Sequence, residues 1–386
     1  MSRIDDLIAE YCPDGVKHQT LGEIGEFIRG NGIQKRDFQD SGFGCIHYGQ
    51  IYTYYGLFAD HTKSFIDPNL AEKRKKAYKG DLVIATTSEN EEDVCKACAW
   101  LGEEPIAISG DAYIFRHHQN PKYISYCFQS ELFQSQKKKY ITGTKVLRVN
   151  GDAMAKIHVP VPPLPVQEEI VRILDSFSSL EAELEAELEA RRKQYTHYRD
   201  ELLKFERVLI ASLGELCKIS VGRKNGTAGE FGEYPYVNAG TSMSGFVNEW
   251  SEEGDCVTTP SRGQGGMGFV AYQASRFWCG PLCYVMRSKH SDVMIKYVYY
   301  YLCSHKADIL GLVHEGGTPA INKSELAGLR ILVPPFEEQQ RIVPILDRFD
   351  KLTNDLSSGL PAEIEARHKQ YEYYRDRLLS FDELAA

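Results

Sequence analysis

The sequence of 386 residues lacks any run of about 18 apolar residues, the length that a membrane-spanning helix needs. Its start also lacks the basic and then apolar pattern of a secretory signal peptide, since it reads MSRIDDLIAEYCPDG. Hydrophobic residues make up 42% of the chain, and charges of both signs are mixed, as in ordinary globular proteins. We therefore expect a cytoplasmic protein of two or more domains that does not associate with membranes.

The chain also lacks the converging cysteine pairs of a structural zinc site. Cys95 and Cys98 form one C-x-x-C pair, and Cys279 and Cys283 form a C-x-x-x-C pair about 180 residues further along. Without a signal peptide, the ten cysteines are expected to be reduced thiols that pack as small apolar side chains. A metal site remains the open alternative.

Signatures of catalysis are missing or fail in their context. Gly263, Gly265 and Gly268 fit G-x-G-x-x-G, but a dinucleotide site needs a helix after them, and FVAYQASRFW is strand-like. The VPP segments at Val161 and Val333 resemble the NPPY motif of amino-methyltransferases, but valine replaces the residue that would hold the target amine. A P-loop, a zinc-deaminase set and G-x-S-x-G are missing as well. The sequence therefore predicts no catalytic residue and no cofactor bound by this chain.

What the chain does contain is a second copy of itself. The phrase ARRKQYTHYRDELL (190–203) returns as ARHKQYEYYRDRLL (366–379), with ten of fourteen positions identical. Upstream, VPPLPVQEEIVRILDSF from Val161 corresponds to VPPFEEQQRIVPILDRF from Val333. Fainter matches pair LGEI with LGEL, KGDLVIATT with EGDCVTTPS, KYISYCF with KYVYYYL, and GT at Gly143 with GT at Gly317. Units of this length indicate a duplication rather than a solenoid, whose repeats are shorter.

The duplication divides the chain into two domains and two helical segments. The predicted boundaries are a first domain at 1–160, a helical segment at 161–205, a second domain at 206–333 and a second helical segment at 334–386. The net charge of −9 is distributed unevenly, with −1 in 1–150, −4 in 151–205, 0 in 206–333 and −4 in 334–386. The acidic excess therefore belongs mostly to the helical segments, and the overall charge does not exclude a nucleic-acid partner.

Both domains read as mixtures of helix and strand. The patterns predict strands at 81–87 and 269–272 and helices at 123–136 and 297–310. Tyr297, Tyr300 and Tyr301 recur at helical spacing and are interpreted as core residues, with base stacking as the alternative. The predicted fold class is α+β: two mixed α/β domains separated by two long helices, in an internal pseudo-two-fold duplication.

Each helical segment predicts one arm of a coiled coil. Prolines at 160, 162, 163 and 165 favour an extended run, so the first helix is predicted to begin at Gln167. Apolar or stem-burying residues then alternate in steps of three and four with one stutter, at Ile170, Ile173, Phe177, Leu180, Leu184, Leu188, Arg191, Tyr195, Tyr198, Leu202 and Phe205. In the second copy, four extra residues around SSGLP predict a break near Gly359 and a restart at Pro361.

A long helix with an apolar stripe needs a partner, and the simplest partner is its own duplicate packed antiparallel. The tyrosines of the repeated phrase are then interpreted as core residues. Lys193, Arg199, Lys369 and Arg375 are expected to flank this seam or to face a partner protein rather than DNA.

Different polar loops follow the aligned GDxV strands. In the first domain the loop reads TTSENEED (86–93), and in the second it reads PSRGQGGMG (260–268). Different loops at one scaffold position are what two reading heads with different targets would show. Asn90, Arg262 and Gln264 can pair with base edges, and serine or threonine hydroxyls can reach phosphates or bases. Merely solvated loops are the alternative.

Basic clusters provide a non-specific attraction to phosphate, because lysine and arginine release counterions when they approach it. The clusters read EKRKKAYK (72–79), QKKKY (136–140) and VGRKNG (221–226). The predicted DNA-contacting residues come from these clusters and loops, with Lys35, Arg36, Lys145 and Thr241 in addition: Lys35, Arg36, Lys73, Arg74, Lys75, Lys76, Thr86, Thr87, Ser88, Asn90, Lys137, Lys138, Lys145, Arg223, Lys224, Thr241, Ser261, Arg262 and Gln264.

The order of these segments resembles the specificity (S) subunit of type I restriction-modification enzymes over essentially the whole chain. The resemblance lies in VPPLPVQEEIVRILD and RRKQYTHYRDELL after the first variable domain, and in VPPFEEQQRIVPILD and EARHKQYEYYRDRLL after the second. It implies two target recognition domains, each reading one half of a bipartite site in double-stranded DNA. It also implies that the two antiparallel helices form a coiled coil that sets the gap between the half-sites.

The resemblance implies partners as well. Two methylation subunits, which use S-adenosylmethionine, would dock on the scaffold, and restriction subunits would join them with ATP and Mg²⁺. The specificity subunit itself would be non-catalytic. Two other classes stay open: a self-contained DNA methyltransferase, whose isolated chain would bind S-adenosylmethionine in calorimetry, and a coiled-coil scaffold for proteins, which would show no salt-dependent DNA binding in any complex.

Overall fold

The computed structural model describes residues 3–223, 228–314, 316–355 and 357–384. The chain divides into two compact units, the first formed by Met1–Glu183 with Glu365–Ala386 and the second by Leu184–Ile364. Both units combine sheets with helices, which confirms the predicted α+β class. Within the described ranges, the search for a helix long and apolar enough to cross a membrane finds none.

The first copy of the repeat alternates short strands and helices and ends in one long helix. The chain begins with α1 (Arg3–Tyr11), β1 (His18–Thr20), α2 (Leu21–Ile24), β2 (Gly25–Arg29), a 3-10 turn (Lys35–Asp37), β3 (Phe43–Ile46), α3 (Tyr48–Thr53), β4 (Phe58–Ala59), β5 (Ser64–Ile66), α4 (Pro68–Glu72) and β6 (Lys76–Ala77). It continues with β7 (Leu82–Ala85), β8 (Thr87–Ser88), β9 (Lys96–Trp100), β10 (Ile106–Ile108), β11 (Ala112–His117), α5 (Pro121–Gln129), α6 (Glu131–Lys138), β12 (Leu147–Arg148), α7 (Gly151–Met154), β13 (His158–Pro160) and α8 (Leu164–Leu202).

The second copy follows the same plan. Its first elements are β14 (Leu209–Ser212), α9 (Leu213–Leu216), β15 (Cys217–Val221), β16 (Tyr234–Val237), β17 (Phe246–Val247), β18 (Cys256–Pro260), β19 (Ala271–Gln273), β20 (Trp278–Cys279) and β21 (Cys283–Ser288). The remaining elements are α10 (Ile295–Ser304), α11 (Lys306–Leu310), α12 (Lys323–Gly328), β22 (Arg330–Val333), α13 (Phe336–Asn354) and α14 (Leu360–Leu378).

The central sheets of the two units share the order of four strands, and the first sheet has a fifth strand, β4, beside β9. The first runs β2-β11-β7-β9-β4 and the second runs β15-β21-β18-β19. In each sheet the strand of the GDxV motif, β7 or β18, pairs antiparallel with the strand before the tyrosine-rich helix, β11 or β21. Each unit also has a smaller sheet, β5-β3-β10-β6 in the first and β17-β16-β20 in the second. The internal duplication predicted from the repeated phrases is therefore confirmed in the topology.

The aligned LGEI and LGEL phrases form equivalent short helices with reciprocal caps. Thr20 Oγ1 accepts a hydrogen bond from the backbone N–H of Glu23, whose carboxylate accepts from the N–H of Thr20. Ser212 and Glu215 form the same box in the second unit. A hydroxyl residue followed three positions later by glutamate satisfies two otherwise unpaired donors at a helix start.

The helices of the KYISYCF and KYVYYYL phrases are held against the long helices by one carboxylate each. In the first unit, Asp175 accepts from Lys122 Nζ at 2.6 Å and from the Tyr126 hydroxyl at 2.8 Å. In the second, Asp347 accepts from Lys296 Nζ at 2.7 Å and from the Tyr300 hydroxyl at 2.6 Å. The two networks occupy matching positions of the repeat.

The buried tyrosines confirm the interpretation of these residues as core. Tyr123 and Tyr126 in the first unit, and Tyr297 and Tyr300 in the second, are among the largest fully buried side chains. Tyr301 is also buried. Burial of the phenol raises the pKa of Tyr301 and leaves these rings unavailable to stack on a base.

The long helices differ from the prediction at their ends. The first begins at Leu164 rather than at Gln167 and ends at Leu202 rather than at Phe205. Pro165 falls in its first turn, where a proline costs little because the missing N–H has no partner in the helix. The predicted break in the second copy is confirmed, since α13 ends at Asn354 and α14 begins at Leu360 with Pro361 in its first turn.

Helix packing within each unit follows the predicted stripe, with exceptions. In the first unit Phe177 stacks on Tyr374 with ring centroids 5.4 Å apart, and Glu181 pairs with His368 at 2.8 Å. The residue numbers rise on one helix as they fall on the other, so this pair is antiparallel. Leu180 was predicted in the stripe but is 37% exposed, while Val171 and Leu174 are buried.

In the second unit, the rings of Tyr195 and Tyr198 stack on Phe349 at 6.3 and 5.7 Å, but only Tyr195 is buried as predicted, and Tyr198 is 44% exposed. The two arginines expected to flank the seam or to face a partner each pair with the aspartate that follows them, Arg199 in the second unit and Arg375 in the first. Lys193 and Lys369 lie exposed and pair along their own helices with Glu189 and Glu365.

Other predicted boundaries were wrong in detail. Each predicted domain helix is two helices, because Ser130 and His305 interrupt it. The Ser130 hydroxyl donates to the Cys127 carbonyl and accepts from the Phe133 N–H, which ends one helix and starts the next. The strand predicted at 81–87 is Leu82–Ala85, with Thr87 in the separate strand β8, and the strand predicted at 269–272 is Ala271–Gln273.

The carboxylate networks predict separate effects on the two units. Asp175→Asn should destabilise the first unit by about 1–3 kcal/mol, because a buried hydroxyl and an ammonium lose their charged acceptor. Asp347→Asn should do the same to the second unit. Native-state hydrogen exchange at α5 and α10 amides measures the opening free energy of each unit.

The exposed Glu168 on the same helix as Asp175 provides the matched control, since Glu168→Gln should change neither unit. Equal destabilisation of both units by either aspartate substitution would contradict this assignment.

Candidate nucleic-acid interface

The loops that carry most of the predicted contacts gather at one end of each central sheet. In the first sheet Tyr113 pairs with Arg29 and Ala112 with Ala85, so the residues after Arg29, after Ala85 and before Ala112 lie side by side. In the second sheet Val221 pairs with Tyr284, and Pro260 with Cys283. We call these surfaces the first loop end (30–36, 86–95 and 109–111) and the second loop end (222–223, 261–268 and 280–282).

A bridging asparagine brings two basic segments together at the first loop end. Asn31 donates from Nδ2 to the Lys73 carbonyl at 3.1 Å and accepts from the Lys75 N–H at 2.8 Å. The exposed Lys73 and Lys75 therefore lie beside the exposed 3-10 turn that carries Lys35 and Arg36. Asn31 was not among the residues predicted from the sequence, and its only signal there is its place two residues after β2 and four residues before the basic turn.

The other two residues of the basic run are partly covered. Arg74 is half-buried, and its guanidinium lies where a side chain on Gly32 would be, about 3 Å from an ideal Cβ. Gly32 has φ +55°, a conformation that glycine adopts without strain. The Lys76 ammonium lies over the Phe43 ring at 5.4 Å, so Lys76 faces the smaller sheet rather than open solvent.

The loop after β7 offers its polar side chains unequally. Thr86 and Thr87 are buried, and the Thr86 hydroxyl donates to the Asp111 carbonyl at 3.2 Å. Ser88 is half-buried and Asn90 is exposed. Asn90 Nδ2 donates to Asp93 at 2.7 Å, and Asn90 Oδ1 accepts from the Asp93 N–H at 2.7 Å, which closes a tight turn. Ser88 and Asn90 are thus the accessible members of the predicted set in this loop, where Glu89, Glu91 and Glu92 are exposed as well, whereas the two threonines form its base.

Lys137 is placed differently from the prediction of a surface phosphate contact. Its side chain is 1% exposed, and its ammonium donates to the carbonyls of Glu91, Glu92 and Val94 at 2.8, 3.2 and 3.0 Å and to Gln134 Oε1. With its donors used inside the fold, Lys137 has none to offer a phosphate. Burial lowers the pKa of its ammonium. Lys138, the next residue, is exposed.

A short hairpin adds a further element to this surface. Thr142 and Arg148 exchange backbone hydrogen bonds at 2.9 and 2.8 Å, and the two residues of β12 pair with Ser88 and Thr87 of β8. Lys145, a predicted contact, lies exposed at the tip of this hairpin. Gly143 within it has φ +96°, which explains the glycine of the repeated GT.

An equivalent hairpin meets the second loop end. His314 and Ala320 form an isolated bridge, and Gly317, the glycine of the second GT, has φ +105°. Gly263 donates to the Pro319 carbonyl at 3.0 Å, and Ile321 donates to the Ser261 carbonyl at 2.9 Å. The two GT matches therefore marked hairpins that bond to the polar loops of the two loop ends, a role that the sequence alone did not reveal.

The remaining predicted residues of the second copy lie around this hairpin. Arg262 and Gln264 are exposed, and Ser261 is half-buried. Exposed Thr241 belongs to the loop after β16. This loop contacts the second loop end, since the Ala239 carbonyl lies so close to Gly266 that a side chain there would collide with it. Exposed Arg223 is the second residue after β15, and Lys224 lies outside the described residues.

The glycine motif of the second unit has a structural role. Gly263, Gly265 and Gly268 have φ values of +141°, +86° and +74°, and the strand β19 follows them instead of a helix. The motif therefore shapes a loop and lacks the helix start that a dinucleotide site needs.

All ten cysteines of the chain are free thiols and nine of them are buried, as predicted for core-filling residues. A search of the described ranges finds no group of three or more metal-ligating side chains.

The sequence matches the family described as "Type I restriction modification DNA specificity domain" over residues 13–190 and 208–366. The chain belongs to this family. The two matched ranges correspond to the two copies of the repeat, and the resemblance found in the helical phrases is confirmed.

Relatives of this specificity-subunit family cover large parts of the chain. The specificity subunit of a type I restriction enzyme from Escherichia coli is 35% identical over 273 residues, which is 60% of this chain and 65% of that protein. The match thus spans just under two thirds of that relative's length. A Mycoplasma pneumoniae protein named as a type I specificity subunit is 33% identical over 244 residues, covering 59% of this chain and 94% of that protein.

Solved structures share the fold. The crystal structure of the S subunit of a type I restriction-modification system from M. genitalium aligns with a TM-score of 0.63 and 14% identity, over 94% of this chain and 96% of that one. A chain from a study of complex assembly and conformational transition of the type I system aligns with a TM-score of 0.57 and 16% identity, over 95% and 98%. The duplicated architecture is therefore that of S subunits.

Proposed function

We propose that this specificity subunit reads a bipartite site in double-stranded DNA, each domain reading one half of the site. The observation that carries the proposal is that two sheets of one topology present different polar loops at corresponding ends. A shared scaffold with different loops suits two reading heads with different targets, since direct readout depends on the side chains that reach base edges.

The contacts divide into two kinds. The basic residues are proposed to bind phosphates. They comprise the exposed Lys35, Arg36, Lys73, Lys75, Lys138, Lys145 and Arg223, the half-buried Arg74 and Lys76, and Lys224. Ser88 and Asn90 in the first domain, and Thr241, Ser261, Arg262 and Gln264 in the second, are proposed to reach base edges. Thr86 and Thr87 are proposed to support the first loop from beneath.

The proposed complex supplies the chemistry that this chain lacks in its motifs. Two methylation subunits would dock on the helical segments and bring S-adenosylmethionine, and restriction subunits would bring ATP and Mg²⁺. The chain itself would be non-catalytic and would bind none of these. The proposal keeps the domain boundaries read from the repeat: recognition domains at 1–160 and 206–333, and helical segments at 161–205 and 334–386.

The helical segments are proposed to set the gap between the two half-sites. The helix α8 has 39 residues, which corresponds to about 58 Å at about 1.5 Å per residue. A length of this kind separates two reading surfaces by a fixed number of base pairs only if it is rigid, and pairing with a second helix provides rigidity.

The two kinds of contact predict different effects of substitution. Arg262→Ala should cost about 1–3 kcal/mol of binding to the correct second half-site and relax the preference there, because a base-edge contact is lost. Lys75→Gln should weaken binding evenly across sequences and lower the salt slope of log K by about one. Titrations of split-site duplexes at several salt concentrations separate the two outcomes.

Lys17→Gln removes an exposed charge away from both loop ends and should leave the salt slope unchanged. A uniform loss from Arg262→Ala, with unchanged preference at both half-sites, would place Arg262 among the phosphate contacts instead.

The gap-setting role of the helices predicts a change of spacing. Four residues inserted between Leu184 and Leu188 lengthen the helix by about 6 Å, comparable to about two base steps of roughly 3.4 Å. The recognised gap should therefore grow while both half-sites stay the same. A matched insertion of four residues at Gly56, an exposed loop position, should leave the gap unchanged. An unchanged gap after the helix insertion would refute the role of the helices in spacing.

A further inference from the structure

We propose that Lys137 is a positioning residue for DNA reading by the first domain, an inference that rests on the proposed function. Its buried ammonium holds the backbone of the loop whose outer side carries Ser88 and Asn90. It would act on sequence preference through that loop and would not touch DNA.

The geometry of the ammonium supports this role. Three carbonyls within four consecutive residues, Glu91, Glu92 and Val94, converge on Lys137 Nζ at 2.8, 3.2 and 3.0 Å. Gln134 Oε1 is a fourth acceptor, and Gln134 is itself held by donating from Nε2 to the Phe128 carbonyl at 2.7 Å. A charged donor shared among several carbonyls fixes their positions more strongly than neutral hydrogen bonds do.

The loop needs such support because its backbone is strained where it re-enters the sheet. Cys95, directly after the clamped residues, has φ +70°, a left-handed conformation that is unusual for a side chain other than glycine. Cys95 is nonetheless buried, and its N–H donates to the Ala85 carbonyl at 2.9 Å. Strained residues persist where their surroundings over-determine them, and the Lys137 clamp on the preceding carbonyl is one such constraint.

Thr87 and Ser88 are held by their pairing with β12, whereas the turn after them bonds mainly to itself. Asn90 and Asp93 bond to each other across the turn, and the Asn90 N–H donates to Ser88 Oγ at 3.3 Å. These bonds fix the internal shape of the turn, whereas the Lys137 ammonium ties the turn to the helix α6. Loss of the tie would let residues 89–94 move as a body, and with them Asn90, which bonds to Ser88 and Asp93.

The second unit solves the same problem without a buried charge. The residues before β19, which correspond to those before β9, include Gly265 and Gly268 with positive φ. Leu310 of α11 packs against Gly268 in this stretch. A Cβ atom added to Gly268 would lie only 2.8 Å from Leu310 Cδ2. Glycine relieves the strain there and an apolar contact replaces the ammonium, so the lysine clamp belongs to the first reading loop.

Lys137→Met tests the proposal in the full chain, using duplexes in which each half-site is altered separately. Discrimination at the first half-site should fall by about tenfold or more, comparable to one lost base-pair preference. Discrimination at the second half-site and the salt slope should stay unchanged, because no phosphate contact is removed. Hydrogen exchange at residues 88–95 should accelerate.

Lys156→Met is the matched control, since it removes the same charge from an exposed lysine of the first unit outside the proposed contacts and should keep both the discrimination at the first half-site and the salt slope. Wild-type discrimination in Lys137→Met, or a salt slope lowered by about one, would overturn the inference. If Lys137→Met does not fold, Gln134→Ala decides instead: it keeps the charge, removes one acceptor and should loosen the first half-site alone, and unchanged discrimination would overturn the inference. Absence of split-site binding by the wild-type chain would count against the proposed function, not against the clamp.

Discussion

In both units, one carboxylate on a long helix receives a tyrosine hydroxyl and a lysine ammonium from the helix that follows the central strand. Asp175 and Asp347 occupy matching positions, and each joins the domain to the helical segment at the end of the sheet remote from the loops. The position of each loop end relative to the helical segment depends on this anchor, because the strands β11 and β21 run from the loop ends to the anchored helices. A fixed base allows the opposite end of the sheet to vary in sequence without loss of the fold.

The division of labour between the two ends explains how much the sequence could predict. The helical phrases repeat because their packing is specific: glutamine, aspartate and tyrosine each have a defined partner. Gln167 and Gln339, for example, both donate from Nε2 to a proline carbonyl five residues earlier. Such constraints leave a legible pattern, so the duplication, the helix break at Gly359 and the buried tyrosines were all predictable.

The roles of residues at the loop ends were harder to predict from the sequence, because they depend on contacts between distant parts of the chain. Lys137 belongs to a lysine run that reads as solvated, yet it is the one turned inward, because helix periodicity places it with Phe133 on the buried face of α6. Thr86 looks like any loop hydroxyl until the register of β7 against β11 puts it next to the Asp111 carbonyl. Asn31 acquires its role from residues more than 40 positions away. Partners this distant along the chain leave no local signal in the sequence.

The proposal on which the others depend is that each domain reads one half of a split DNA site. Genome-wide mapping of adenine methylation tests it in cells with the natural gene, without it, and with residues 20–158 exchanged for those of another specificity subunit. We expect one split motif to depend on the gene, and we expect the exchange to rewrite one half of it, with the other half and the gap retained. Methylation that is the same in all three strains, or an exchange that alters both halves, would contradict the proposal.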